Sequence, residues 1–295
     1  MQEKELQLTG GSLYYEIRPR GVCVTGWQGL AGEVTIPKEL EGLPVTDIEK
    51  KAFLSKKNLR KVFLPDTVEQ IGDWAFAYCD SLEQVELPER EIRFGKVVFL
   101  ECGRLRSLAI RGKERSVAAL LAAAVTTTEA YYLLDIREAG SSEWLSRWDA
   151  RLLAVMQTSD QEGYSKQVLC GEEDYGSTDL TAYMSGRRRV KVRLMLLRLL
   201  YADGLNSQIK EELQTYLKDH TKGCESEETW QVILQEHGEE REYYELFARL
   251  GCLTEDNLDA ILQDIGEDYP EMKAFFLRYK QEKLGYTDFF EELEL

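Results

Sequence analysis

The chain has 295 residues, 43% of them hydrophobic and 31% charged, with a formal net charge of −16. These values describe a folded chain with room for two domains, and with no apolar run of ~18 residues they exclude a transmembrane helix. The acidity is uneven: residues 1–111 carry a net −1 and residues 112–295 a net −15. Such a field disfavours nucleic acid and anionic membrane, so no nucleic-acid partner and no membrane insertion are expected. The opening residues MQEKELQLTGG contain no apolar signal segment. A cytoplasmic location is therefore expected, or the cell surface if an upstream leader has been removed.

The segments Leu13–Ile17, Val22–Trp27 and Val34–Pro37 come first. From Val34 to Ile110 the sequence then repeats every 23 residues. Leu59, Leu82 and Leu105 are in phase, as are Val62, Val85 and Leu108; Leu64, Leu87 and Ile110; Ile48, Ile71 and Phe94; and Phe53, Phe76 and Phe99. A fixed period of 20–29 residues marks a solenoid, in which each unit buries its apolar face only against its neighbours. One coil can be read from Leu82. Val85 and Leu87 point inward from a short strand, Glu86 points outward, and Pro88 ends the strand because it lacks a ladder donor. An irregular segment follows, with Gly72 or Gly95 expected to allow a tight bend. The stacked strands are expected on one face and the irregular segments on the other.

Six cysteines occur, with no CxxC. Cys79 and Cys102 lie one period apart. Their separation permits a disulfide on distance alone, but small apolar thiols filling a repeated core slot is the better reading.

The pattern Leu59-Arg-Lys-Val-Phe-Leu-Pro65, Val68-Glu-Gln-Ile-Gly72, Ala75-Phe76 and Cys79 resembles the BspA-type leucine-rich repeat, over about residues 13–111. The resemblance implies a solenoid capped by an N-terminal strand pair. It also implies a binding role, since members of the family are often bacterial surface proteins that bind host or partner proteins. It carries no catalytic residues.

Outward strand positions form columns. One holds Thr35, Phe63, Glu86 and Ala109. A second holds Glu33, Lys61, Gln84 and Ser107. A third holds Gly32, Arg60, Glu83 and Arg106, with Glu83 between two arginines. Arg60, Lys61, Phe63, Glu83, Gln84, Glu86 and Arg106 are the candidate protein-binding face. Phe63, an aromatic on a face expected to meet water, is either a binding anchor or covered by the C-terminal domain.

After Gly112 the period changes to about 3.6. Ser116 can cap a small apolar helix, Val117–Val125, expected to cover the end of the solenoid. Thr126 and Glu129 have capping-box spacing for a next helix to about Glu138. Ser142–Gln157 carries an apolar stripe of Trp144, Trp148, Leu152, Val155 and Met156. Residues 158–185 read as short elements or a loop. From Arg187 the chain is helical and basic up to Arg198, a face expected to meet the acidic helices after Glu211. Trp230–Glu240 aligns with Leu258–Asp268 at an offset of 28, and Tyr244–Phe247 with Met272–Phe275. Each unit reads as helix, glycine turn, helix, and resembles the helix pairs of ankyrin-type repeats.

The two histidines give little chemistry. His237 aligns with Ile265 and reads as structural. A zinc site from His220, Cys224, His237 and Cys252 matches no ligand spacing. No GxSxG, HExxH, GxGxxG or P-loop motif occurs, so no catalytic residue, cofactor or metal is expected. The sequence thus predicts an α+β chain: a leucine-rich-repeat solenoid with a parallel β ladder over 1–111, then an all-helical domain over 112–295. Within the latter, 112–185 holds capping and linking helices and 186–295 holds the helix pairs. The expected function is a non-enzymatic protein–protein interaction scaffold, with a surface adhesin as the alternative. An enzyme with its site at the domain junction is the competing class.

Overall fold

The computed structural model describes residues 2–165 and 179–283. Part of the 158–185 stretch lies outside the described residues. The contacts divide the chain into two compact units, 1–155 and 156–295.

Among the described residues the first unit holds eleven strands. β1 (Lys4–Leu8), β2 (Gly11–Arg18) and β3 (Gly21–Gly29) form an antiparallel meander. β4 (Glu33–Thr35), β7 (Lys61–Phe63), β9 (Gln84–Leu87) and β11 (Ser107–Ile110) stack as one parallel ladder. The 23-residue period is therefore a strand register: Lys61 pairs with Gln84, and Gln84 with Ser107. The leucines Leu59, Leu82 and Leu105 are all buried, as are the valines and leucines of the strands. Phe53, Phe76 and Phe99 form a stack of near-parallel rings with centroids 5.0 and 5.6 Å apart.

The opposite side is not irregular, as expected from the sequence, but carries a second parallel ladder. β6 (Leu43–Ile48), β8 (Gln70–Ile71) and β10 (Arg93–Phe94) pair in that order, and β3 joins β6 in parallel. The N-terminal strands therefore extend this second ladder as a three-stranded meander; they are not a strand pair. The first coil exceeds the period by five residues, since Pro37 and Pro65 are 28 apart, and the insertion forms a hairpin. β5 (Glu39–Leu40) turns back on β6 through Glu41-Gly42, both with positive φ, the two-residue turn whose twist suits a hairpin.

Gly72 and Gly95 also have a different reason from the one expected. Neither has a positive φ. A Cβ on Gly72 would come within 2.5 Å of the Lys50 backbone nitrogen, and one on Gly95 would meet the Asp73 nitrogen as closely. They are glycine because successive coils pass backbone to backbone at that point. Cys79 and Cys102 are free thiols. Each donates to the phenylalanine carbonyl of the coil before it, at 3.0 Å (Phe53) and 3.1 Å (Phe76).

After the last coil, α1 (Arg115–Thr126) packs on β11. Ser116 does not cap it; Glu114 holds that position without a side-chain bond. The helix expected over 126–138 does not form, and only a single 3₁₀ turn occurs, at Tyr131–Leu133. The hydroxyls of Thr126 and Thr128 donate back to Ala122 and Ala124, finishing α1 instead of starting a new helix. Glu129 then takes a left-handed φ of 52°. α2 (Ser142–Gln157) follows as expected. Trp144 and Trp148 are buried, and their indole N–H groups donate to Leu133 and Leu120 carbonyls at 2.8 and 3.0 Å.

The second unit contains α3 (Leu180–Leu200), α4 (Ser207–Asp219), α5 (Glu228–Glu236), α6 (Arg241–Arg249), α7 (Glu255–Ile265) and α8 (Pro270–Lys283). α5–α6 and α7–α8 are the two repeated helix pairs. Trp230, Tyr244, Phe247 and Phe276 meet in one aromatic cluster. The sequence alignment sets Phe247 opposite Phe275, but the buried ring is Phe276, so the second pair has slipped by one residue.

The basic helix α3 does meet acidic partners. Arg188 pairs with Glu228 at 2.9 Å, and Arg189 and Arg193 both pair with Glu236. Burial alone would raise Glu228; hydrogen bonds from Ser226 and Arg188 outweigh it and hold the carboxyl below its ordinary range. Glu236 is likewise raised by burial but lowered further by Arg193 and Arg189.

Candidate protein-binding face

The outward side of the β4–β7–β9–β11 ladder is built from strand alternation. Val62, Val85 and Leu108 point inward and are fully buried, so their neighbours must point out. Of the seven residues singled out from the sequence, Lys61, Phe63, Gln84 and Glu86 alternate with this core on the strands, and Arg60, Glu83 and Arg106 immediately precede β7, β9 and β11. Phe63 stands between Thr35 and Glu86, Lys61 between Glu33 and Gln84. Arg60, Glu83 and Arg106 follow one another, each N–H donating to the carbonyl one coil back: Arg60 to Gly32, Glu83 to Arg60, Arg106 to Glu83. The columns are thus fixed by main-chain bonds as well as by the core.

The charges of the face are laddered in pairs. The Arg60 guanidinium grips Glu83 through two bonds of 3.2 Å, and Lys61 pairs with Glu33 at 3.2 Å. Phe63 is half-buried between Thr35 and Glu86. Exposed pairs of this kind contribute only ~0.2–1 kcal/mol each, so the pairing sets geometry more than stability.

Sequence reasoning missed one residue of the face. Arg111 occupies the slot that holds Pro65 and Pro88 in the earlier coils. Its side chain reaches back over the strand ends to Glu86 (2.9 Å), Asp66 (2.5 Å) and the Leu64 carbonyl (3.1 Å), two coils away. The available signal was the loss of proline together with acids at Asp66 and Glu86, two coils and one coil earlier.

The groups considered for other chemistry are occupied structurally. His237 stacks on Tyr243 with centroids 3.6 Å apart and bonds Glu240 at 3.0 Å. His220 stacks on Tyr216 and bonds its carbonyl. Burial pushes the Cys252 thiol up to about 12, far from the thiolate that a metal or a substrate would need. Among the described residues no three His, Cys, Asp or Glu side chains converge as metal ligands. No described helix is long and apolar enough to cross a membrane.

Comparison with known proteins places the solenoid. Residues 33–120 match the BspA type leucine rich repeat region in six copies, and this stretch is a repeat region of that type. No curated protein matches the chain. Among solved structures, a leucine rich repeat protein of T. pallidum is 31% identical, covering 35% of this chain and 48% of its own, with a TM-score of 0.32. A leucine-rich repeat protein from Bacteroides capillosus is 28% identical, covering 38% of this chain and 90% of its own, with a TM-score of 0.31. A leucine rich cell surface protein from Faecalibacterium prausnitzii is 22% identical, covering 37% and 32%, with a TM-score of 0.30. The chain spans about half the length of the T. pallidum structure.

Proposed function

We propose that this chain, with its BspA-type repeat region at residues 33–120, is a non-enzymatic scaffold that binds a partner protein through the β4–β7–β9–β11 face. The observation that carries the reading is Phe63. A half-buried aromatic stands between Thr35 and Glu86 on columns held by main-chain bonds, with Lys61 two residues before it on the same strand. Buried anchors of this type, surrounded by polar groups that exclude water, dominate protein interfaces. Gln84 and Arg106 extend the same surface.

The test is capture of a stoichiometric partner from the source cell by the full chain, followed by titration of that partner against Phe63→Ser. The expected result is a loss of affinity of at least ~2 kcal/mol, the scale of a hot-spot truncation, with the thermal midpoint little changed. Unchanged affinity, or turnover of a substrate by the purified chain, overturns the proposal. If Phe63→Ser instead lowers stability by ~2 kcal/mol or more, the residue is a covered core aromatic and the anchor role is lost. The family match also accommodates surface display; protease shaving of intact source cells separates that setting from a cytoplasmic one.

A further inference from the structure

The second ladder ends with an unused edge, because β10 is its terminal strand. In the earlier coils each carbonyl that faces along the stack is taken by the next coil. Arg93 N–H donates to Glu69 at 2.9 Å, and Gly95 N–H to Ile71 at 2.7 Å. Trp74 N–H in turn donates forward to the Lys96 carbonyl at 3.1 Å. One period on, the corresponding groups are the carbonyls of Ile92 and Phe94 and the N–H of Val97. Among the described residues none of these three has a hydrogen-bond partner. Tyr131, from the 3₁₀ turn after α1, lies beside this end of the ladder. The chain after the last coil therefore leaves this stretch of the end open.

The open part has room and a pattern. A cavity of about 770 Å³ adjoins Ile92 and Phe94 and is bounded by Tyr131 and Leu134. A second, of about 750 Å³, adjoins Arg93. Both volumes fall in the range of ligand sites. The register sets the side chains that an added strand would present. Ile48, Ile71 and Phe94 form the inward column, so an apolar residue comes next. Asp47, Gln70 and Arg93 form the outward column. Arg90 and Arg137 are paired with Glu69 and Glu91, whereas the Arg93 guanidinium has no partner among the described residues. An acid opposite Arg93 completes it. The third position is glycine in the two preceding coils because backbones pass too closely for a Cβ.

We propose that the β10 edge binds an extended peptide segment of a partner protein, added as the next parallel strand, with the consecutive residues acidic, large apolar, glycine. The acidic residue's N–H meets the Ile92 carbonyl and its carboxylate meets Arg93. The apolar side chain stacks on Phe94, and the glycine N–H donates to the Phe94 carbonyl. The residue after the glycine accepts from Val97 N–H. This is strand addition, in which main-chain bonds give affinity and alternate side chains give specificity. The site is separate from the Phe63 face, so either can fail while the other stands.

The experiment titrates the full chain against a fluorescent, end-capped octapeptide containing Ser-Asp-Ile-Gly-Ser, read by anisotropy. Replacing the peptide's aspartate by lysine, its isoleucine by serine, or its glycine by N-methylglycine should each weaken binding at least about tenfold. The last change puts a methyl group in place of the N–H aimed at Phe94. Arg93→Glu, an exposed change that leaves the core untouched, should reverse the preference so that the Lys-Ile-Gly peptide binds better. No binding by any of these peptides up to about 1 mM, or equal binding of all of them, overturns the proposal. So does loss of peptide binding in Phe63→Ser with retention in Arg93→Glu, which would assign the peptide to the other face.

Discussion

The two units hold their shape by opposite means. In the repeat unit the interior is apolar and periodic, and its ion pairs lie on the surface: Arg60–Glu83 is 57% and 37% exposed. In the helical unit ion pairs go inward, with Arg188–Glu228 only 15% and 5% exposed and Lys191–Asp160 6% and 20%. Arg198 is fully buried and donates to the Tyr201 and Asp203 carbonyls just beyond the end of its own helix. Stacked coils repeat one packing problem, so one set of residue types solves it several times. Helix pairs joined by short turns have no such register, and directional charge pairs specify which faces meet. The repeat unit should therefore fail through lost volume and the helical unit through lost charge.

The largest effect should come from breaking the ring stack. Phe76 lies between Phe53 and Phe99 and has no exposed surface. Phe76→Ala should cost ~3–5 kcal/mol, the usual range for a buried aromatic, measured by urea unfolding. A cost under ~1 kcal/mol would mean that the coils do not depend on their shared core. Next is Arg188→Met, which leaves the Glu228 carboxylate buried without its guanidinium. It should cost ~3 kcal/mol, and Arg188→Met combined with Glu228→Leu should recover much of that loss. A double variant no better than the single one would show that the pair does not act as a unit.

Acid should separate the units further. Glu228 and Glu236 are held below their unfolded value of 4.5. Lowered folded values mean that their contribution is present above that value and is lost as the pH falls beneath it. The helical unit should therefore weaken below about pH 4.5, and Arg188→Met should flatten that acid limb. Calorimetric scans between neutral pH and pH 3 check both statements. An acid limb unchanged in Arg188→Met would remove Glu228 from the account.

The difference between the units also decides what was legible in the sequence. Leu59, Leu82 and Leu105 announced their shared slot because stacking forces one residue type to recur. The face around Phe63 followed from the same period, since alternation leaves no choice of side once Val62 and Val85 are core. The second ladder was not legible. Gln70–Ile71 and Arg93–Phe94 are two-residue strands, too short for any alternation to show. The helix expected after Thr126 failed because a threonine that can start a helix can equally bond back into the one before it. Arg111 was hidden because its partners come from two different coils. In the helical unit the basic run at Arg187–Arg198 foretold acidic partners, yet the Phe275/Phe276 slip needed packing that no 28-residue alignment contains.

The smallest effect tests whether the period imposes conformation as well as burial. Lys51, Trp74 and Val97 have φ of 63°, 61° and 44°, and Ser55, Tyr78 and Glu101 have 57°, 59° and 55°. Two left-handed positions thus recur in each coil, all filled by residues other than glycine. A β-branched residue is the least suited to this region, and Val97 is the one that occupies it. Asparagine reaches the same conformation with a local hydrogen bond and without the chain entropy that glycine adds. Val97→Asn should therefore stabilise the repeat unit by ~0.5–1 kcal/mol, although it exchanges an apolar side chain for a polar one. The same substitution at the adjacent, fully buried Val98 should destabilise by ~2 kcal/mol or more, because it buries an amide without partners. Opposite signs at neighbouring positions, read from paired thermal melts, would show that backbone conformation governs the first site and packing the second. Losses at both would mean that the left-handed turns bend to whatever side chain they carry.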